Sequence, residues 1–144
     1  FVLNKPIDIP ITDIISDFPT FETTLYVGGP VGKDTVHYIH TLGELIPNSV
    51  HVKDDSYWGG DFDQVKEYIR EGLIQPSQIR FFLGYSGWSP NQLEGELENN
   101  AWLVSEVDST KIMQPDEDMW KKILHSLGSH YKSWTNCPEN PTMN

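Results

Sequence analysis

Apolar positions along this chain repeat with two periods, and each period marks a different kind of element. Phe62, Val65 and Ile69 recur at helical spacing, with Asp61 in front of them and Gly72 behind. That combination of cap, stripe and stop predicts a helix over 61–71. Phe81, Phe82 and Leu83 follow Ile79 as a short apolar run closed by Gly84, which predicts a buried strand over 79–83. Alternation of Val36, Tyr38 and His40 with His37, Ile39 and Thr41 predicts a strand over 36–41. Shorter β-rich runs fall at 1–4, 23–27 and 50–53, the first stopped by Pro6 and Pro10. Residues 101–107 alternate in part and are expected to pair as a further strand.

Two helices and two connections complete the pattern. Gly84 and Gly87 flank a tight corner that leads into a helix over 89–98. Ser89 is its expected cap, Pro90 fits its first turn, and Leu93 and Leu97 share one face. A last helix is expected over 117–127, capped by Asp116, with Met119, Trp120, Ile123 and Leu127 inward and Gly128 at its end. Residues 11–16 read as a short helix capped by Thr12, with Ile14 and Ile15 inward. Residues 54–60 read as a polar loop that carries Tyr57 and Trp58, and Gly28-Gly29-Pro30 as a turn.

Strands adjacent in sequence interleave with helices irregularly. This favours an α+β domain, with a mixed, mainly antiparallel sheet packed with helices, over a regular doubly wound one. A single domain over 1–134 is expected. The tail over 135–144, with two prolines and little apolar content, is expected to be loosely attached.

Composition narrows the classes of function. The 144 residues suit one domain that buries roughly 68–70% of its unfolded surface. Apolar residues make up 38% and include five Trp, enough to build a core. The net charge is −11 and the ten Lys and Arg are scattered, so neither a phosphate backbone nor an anionic membrane surface is an expected partner. No apolar stretch approaches the ~20 residues of a membrane span. Cys137 is the sole cysteine, which excludes an intrachain disulfide and suits a reducing, cytoplasmic setting. The chain begins at Phe1 in what looks like the middle of a strand, so sequence upstream of it is expected.

Several clusters resemble catalytic or ligand-binding motifs, and each has a simpler packing explanation. Ser86 suggests a nucleophile elbow, which needs G-x-S-x-G; Gly84 matches, but Trp88 stands where the last glycine belongs. The segment Gly28-Gly29-Pro30-Val31-Gly32-Lys33-Asp34 suggests a phosphate loop. It lacks a first glycine at Val27 and has Asp34 where a hydroxyl should hold magnesium. A turn between two strands accounts for its glycines. His37 and His40, three apart on a strand, point to opposite faces and should not chelate one metal, and no cofactor or metal site is expected. Glu94 is the candidate carboxylate at the corner, expected to hydrogen-bond nearby backbone. Trp88 and Trp102 are expected to plug the core. Tyr57 and Trp58, in their glycine-flanked loop, are the better candidates for an exposed contact.

Three stretches together resemble one family. Val2-Leu3-Asn4-Lys5-Pro6, Val27-Gly28-Gly29-Pro30-Val31, and Gly84-Tyr85-Ser86-Gly87-Trp88 with Gln92-Leu93-Glu94, Glu96 and Asn100-Ala101-Trp102 are similar to the signatures of the AlgH/YqgE-like bacterial proteins. The resemblance covers most of residues 1–128. Ser89 and Asn91 stand where that family usually carries glycines, and the family's region before "NKP" is absent here. The resemblance implies a compact α+β domain, no settled activity, and a link of part of the family with transcriptional regulation. It supplies no catalytic residue.

The resulting expectation is a non-enzymatic binding or regulatory domain acting through protein contacts, self-association being one form of these. The candidate binding residues are Gly28, Gly29, Pro30, Tyr57, Trp58, Tyr85, Trp88 and Glu94. The alternative is a hydrolase-like enzyme with its site near Ser86 and Glu94. Direct DNA binding is the third reading.

Overall fold

The computed structural model describes residues 1–136. Its centre is one six-stranded sheet in the order β1-β2-β6-β3-β5-β4. The strands are β1 (Pro6–Ile7), β2 (Leu25–Val27), β3 (Val31–His40), β4 (Val50–Lys53), β5 (Ser56–Trp58) and β6 (Ile79–Tyr85). Within this sheet only the β2–β6 pair is parallel; the other four pairs are antiparallel. The helices are α1 (Ile11–Ile14), α2 (Phe62–Arg70), α3 (Gln92–Glu98), α4 (Ser109–Met113) and α5 (Met119–Ser126), with a 3₁₀ segment at Ser129–Asn136. The fold is α+β with a mixed sheet.

Alternation along the central strands gives the sheet two unequal faces. On the first, Leu25, Tyr38, Ile79 and Phe81 pack with Val65 and Ile69 of α2 and with Phe18, Ile46 and Ile74. Phe81 is wholly buried there, worth about 1.5–3 kcal/mol of transfer free energy. On the second face, among the described residues, only Tyr26, Ile39, Phe82 and Met113 form a buried hydrophobic cluster, with Leu3 and Ile112 at its margin. This face is thinly covered, and its consequences appear below.

Helix α2 follows the sequence pattern closely. Asp61 accepts from the Gln64 N–H at 3.1 Å, and Gly72 ends the helix at a φ of +71°. Lys66 lies against the apolar stripe with its ammonium 2.6 Å from Asp17 and 2.8 Å from Asp63, which ties α2 to the segment after α1.

Other expectations are corrected. Residues 1–4 form no strand; the edge strand is Pro6–Ile7, where proline's missing donor costs nothing because it lies at the sheet edge. Helix α1 starts after Pro10 rather than at a Thr12 cap, and it buries Ile11 while Ile14 is exposed. Tyr57 and Trp58 lie on a strand, β5, because Asp54 adopts a φ of +51° and turns β4 back on itself as a hairpin. Residues 101–107 form no strand, and Val104 is exposed. Helix α3 follows Asn91, at a φ of +63°, and has no Ser89 side-chain cap. Asp116 stands ahead of α5 and accepts from the Asp118 N–H, while Trp120 faces solvent. Helix α4, capped by Asp108, was not expected at all. Of the tail, residues 137–144, including Cys137, lie outside the described residues.

Candidate functional site

The glycine corner is a backbone crossing. Gly28 follows β2 and donates its N–H to the Leu83 carbonyl at 2.8 Å, extending the parallel pairing with β6. A Cβ on Gly28 would lie 2.1 Å from the Gly84 carbonyl oxygen, and one on Gly29 would lie 2.2 Å from the Tyr85 carbonyl carbon. Gly84 itself holds a φ of +69°, the left-handed region that disfavours a side chain. These glycines are required by close approach of two chain segments, and the Gly28 donor is already spent on the sheet. Pro30 is exposed and starts the return into β3.

Ser86 is half-buried beside this crossing and donates to the Gly28 carbonyl at 3.4 Å; it has no base as a partner among the described residues. A second hydroxyl, Ser49, does lie 3.1 Å from Nε2 of buried His40. The Leu42 N–H donates to His40 Nδ1 at 3.2 Å, so the neutral ring carries its proton on Nε2 and donates to the Gly59 carbonyl at 3.0 Å. Ser49 donates to the Ile46 carbonyl at 2.7 Å. The ring therefore presents no lone pair to Ser49 and cannot take its proton in this arrangement.

Burial holds His40 below the usual histidine range, against a smaller raising effect of the Gly59 carbonyl. The neighbouring Tyr38 phenol is pushed up to about 12, by burial first and Asp61 second. Because the unfolded chain takes up the His40 proton more readily, stability is expected to hold above pH ~6.5 and to fall as pH drops below it. The slope attributable to this ring is at most about 1.4 kcal/mol per pH unit. Urea midpoints of the wild type and His40→Gln across this range check it; an equal slope in both would contradict the assignment.

The corner sequence instead builds an indole clamp around Glu96. Its carboxylate accepts from Trp102 Nε1 at 2.6 Å, from Trp88 Nε1 at 3.1 Å and from Gln92 Nε2 at 2.9 Å. These three bonds, Trp102 first, hold the Glu96 carboxyl below the usual carboxylate range. The two indoles meet edge to face at 5.8 Å and are both exposed, so neither plugs the core as expected. Glu94 is exposed and its carboxylate makes no hydrogen bond among the described residues, so it does not bond the corner's backbone as expected; the carboxylate engaged there is Glu96, and it binds side chains instead.

Tyr57 and Trp58 part company because adjacent strand residues face opposite ways. Tyr57 is half-buried on the first face, stacked on His40 at 5.8 Å. Trp58 lies on the second, opposite both Ile39 and Val50. His37 joins it there, 6.4 Å from Trp58 and 5.4 Å from Tyr85 between ring centres. His37 and His40 thus fall on opposite faces, as the alternation requires. Trp58 is 42% exposed, Val50 52% and Val52 62%, so the β4–β5 half of this face is an open apolar surface at a sheet edge.

One residue with strong chemistry escaped the sequence reading. Arg80 points from β6 onto the second face and is 3% exposed. Its guanidinium stacks over Tyr26 at 4.2 Å, with Phe82 at 5.4 Å, and donates to the carbonyls of Leu3, at 2.6 Å, and of Ile112. Its Nε is buried without a partner, and no carboxylate pairs with it among the described residues. Burial lowers its pKa, opposed by the Tyr26 phenol, though a guanidinium stays charged. A lone charged residue inside an Ile-Arg-Phe-Phe-Leu run was the available signal.

Comparison with known proteins agrees with this architecture. A family model described as AlgH-like matches residues 1–132. The chain belongs to the AlgH-like family. A UPF0301 protein of Bacteroides thetaiotaomicron is 45% identical over 145 residues, covering 99% of this chain and 74% of that one. One from Cytophaga hutchinsonii is 40% identical over 146 residues, covering 100% and 80%. The solution structure of AlgH from Pseudomonas aeruginosa superposes with a TM-score of 0.72 at 24% identity, covering 96% of this chain and 76% of AlgH. The crystal structure of DIP2367 from Corynebacterium diphtheriae gives 0.68 at 20% identity, over 94% and 73%. These two likenesses establish the shared fold. Among the described residues, no helix is long and apolar enough to cross a membrane.

Proposed function

We propose that this AlgH-like chain is a cytoplasmic, non-enzymatic binding module that uses the open half of its second sheet face to hold a protein partner, as a regulatory domain would. The observation that supports this is the exposed set Trp58, Val50 and Val52, continuous with β4, the strand that ends the sheet among the described residues. Apolar side chains on a strand that ends the sheet among the described residues suit an extended segment that adds to that edge. Trp58 is the natural anchor, since indoles at interfaces carry large shares of binding energy. The chain's charge of −11 selects a partner with a basic surface and makes the contact weaken with salt. It also works against a second acidic copy or DNA as the occupant.

The test is affinity capture with the wild type, Trp58→Ala, Val52→Lys, and Trp120→Ala as a control on α5. A basic protein is expected with the wild type and the control and is expected to be missing from the other two. Purified, it should bind Val52→Lys at least about tenfold more weakly, a loss of about 1.4 kcal/mol. Equal recovery by all four forms would reject the reading.

A further inference from the structure

A cleft of about 820 Å³ opens on the second face near the start of β6, well away from Trp88 and the glycine corner, and none of the eight residues expected to bind a ligand lines it. Its size falls within the roughly 300–1,000 Å³ of small-molecule sites. Tyr26 and Met113 form apolar wall, and Arg80 lies between them, stacked on the one and bonded to α4 beside the other. The hydroxyl residues Thr24, Ser77 and Thr110 line the same space. Glu22 and Asp55 also line it, and both are exposed.

From this combination we infer that the cleft is a binding site for a small zwitterion of the α-amino-acid class. Arg80 is a desolvated cation with no carboxylate partner among the described residues, and its Nε is unsatisfied. A buried unpaired charge is costly, and a ligand carboxylate would offset that cost. The carboxylates of Glu22 and Asp55 repel a ligand carrying several negative charges and attract an ammonium group. The hydroxyls of Thr24 and Ser77 serve as adaptable donors and acceptors around a compact body, that of Thr110, which donates to Asp108 at 2.7 Å, serves as an acceptor, and Met113 and Tyr26 accept an apolar side chain. The cleft adjoins the protein-binding face through Asp55, in the turn between β4 and β5, but its ligand chemistry comes from its own lining and does not depend on that face.

Amide NMR titration of the protein with each proteinogenic amino acid in turn tests the assignment. At least one is expected to give saturable shifts centred on Thr24, Ser77 and Thr110. Its N-acetylated form should bind about tenfold more weakly. That difference should shrink in the double variant Glu22→Gln, Asp55→Asn. Ser77→Trp, at an exposed position on the wall, should abolish the shifts and leave the thermal midpoint unchanged. The inference is overturned if no amino acid gives a saturable shift, if shifts persist in Ser77→Trp, or if inorganic phosphate or the N-acetylated form binds as tightly as the free amino acid.

Discussion

Gly28→Ala is expected to abolish stable folding. The new methyl would lie 2.1 Å from the Gly84 oxygen and 3.0 Å from its carbonyl carbon, both backbone atoms of a central strand. Neither can swing aside as a flexible side chain does. Relief requires β2 and β6 to separate, which breaks the Gly28 N–H bond to Leu83 and disturbs the parallel pair of the sheet. A cost above about 4 kcal/mol follows, a large part of the stability of a domain this size. The check is soluble yield, far-UV circular dichroism and a urea curve beside Gly95→Ala. Gly95 lies inside α3, where an added Cβ would meet nothing within 4 Å, so alanine there should stabilise by about 0.5–1 kcal/mol. A Gly28→Ala protein with the wild-type midpoint would show that the corner opens freely.

Arg80→Ala is expected to destabilise by on the order of 3 kcal/mol. The guanidinium ties together two segments outside the central strands: the chain around Leu3, which backbone bonds at Val2 and Lys5 also hold to the end of β2, and helix α4 at Ile112. Truncation leaves both carbonyls without this donor and removes the cation that stacks on Tyr26 and Phe82. Arg80→Lys should recover only part of the loss, because an ammonium cannot reproduce the fork that reaches both carbonyls. Urea midpoints measure the loss, and amide exchange at 109–113 should rise in step with it. Full stability in Arg80→Lys would mean that the charge matters and the fork does not.

How much of this was readable in the chain depended on agreement between local signals. Helix α2 has its Asp61 cap, its 62–65–69 stripe and its Gly72 stop all in register, so nothing in the tertiary structure opposed them. Strand β6 was readable because an apolar run ending in glycine has few other homes. The corner was legible as scaffolding but not in its contents. Glu94 and Glu96 look alike in sequence; only the second is four residues from Gln92 and within reach of indoles on both sides of α3. Trp88 and Trp102 face outward because that carboxylate satisfies their N–H groups at the surface. Tyr57 and Trp58 read as loop residues because the hairpin turns on Asp54, an aspartate at positive φ with no glycine to mark it. The pairing of His40 with Ser49 and the enclosure of Arg80 depend on contacts distant in sequence, which local pattern does not encode.

Amide hydrogen exchange of the protein alone and bound to the captured partner separates scaffold from binding face most directly. New protection is expected along 50–58, with residues 84–88 unchanged because the partner does not reach the corner. Protection gained at 84–88 while 50–58 stays as it was would place the working surface at the corner and contradict the assignment of function to the open sheet face.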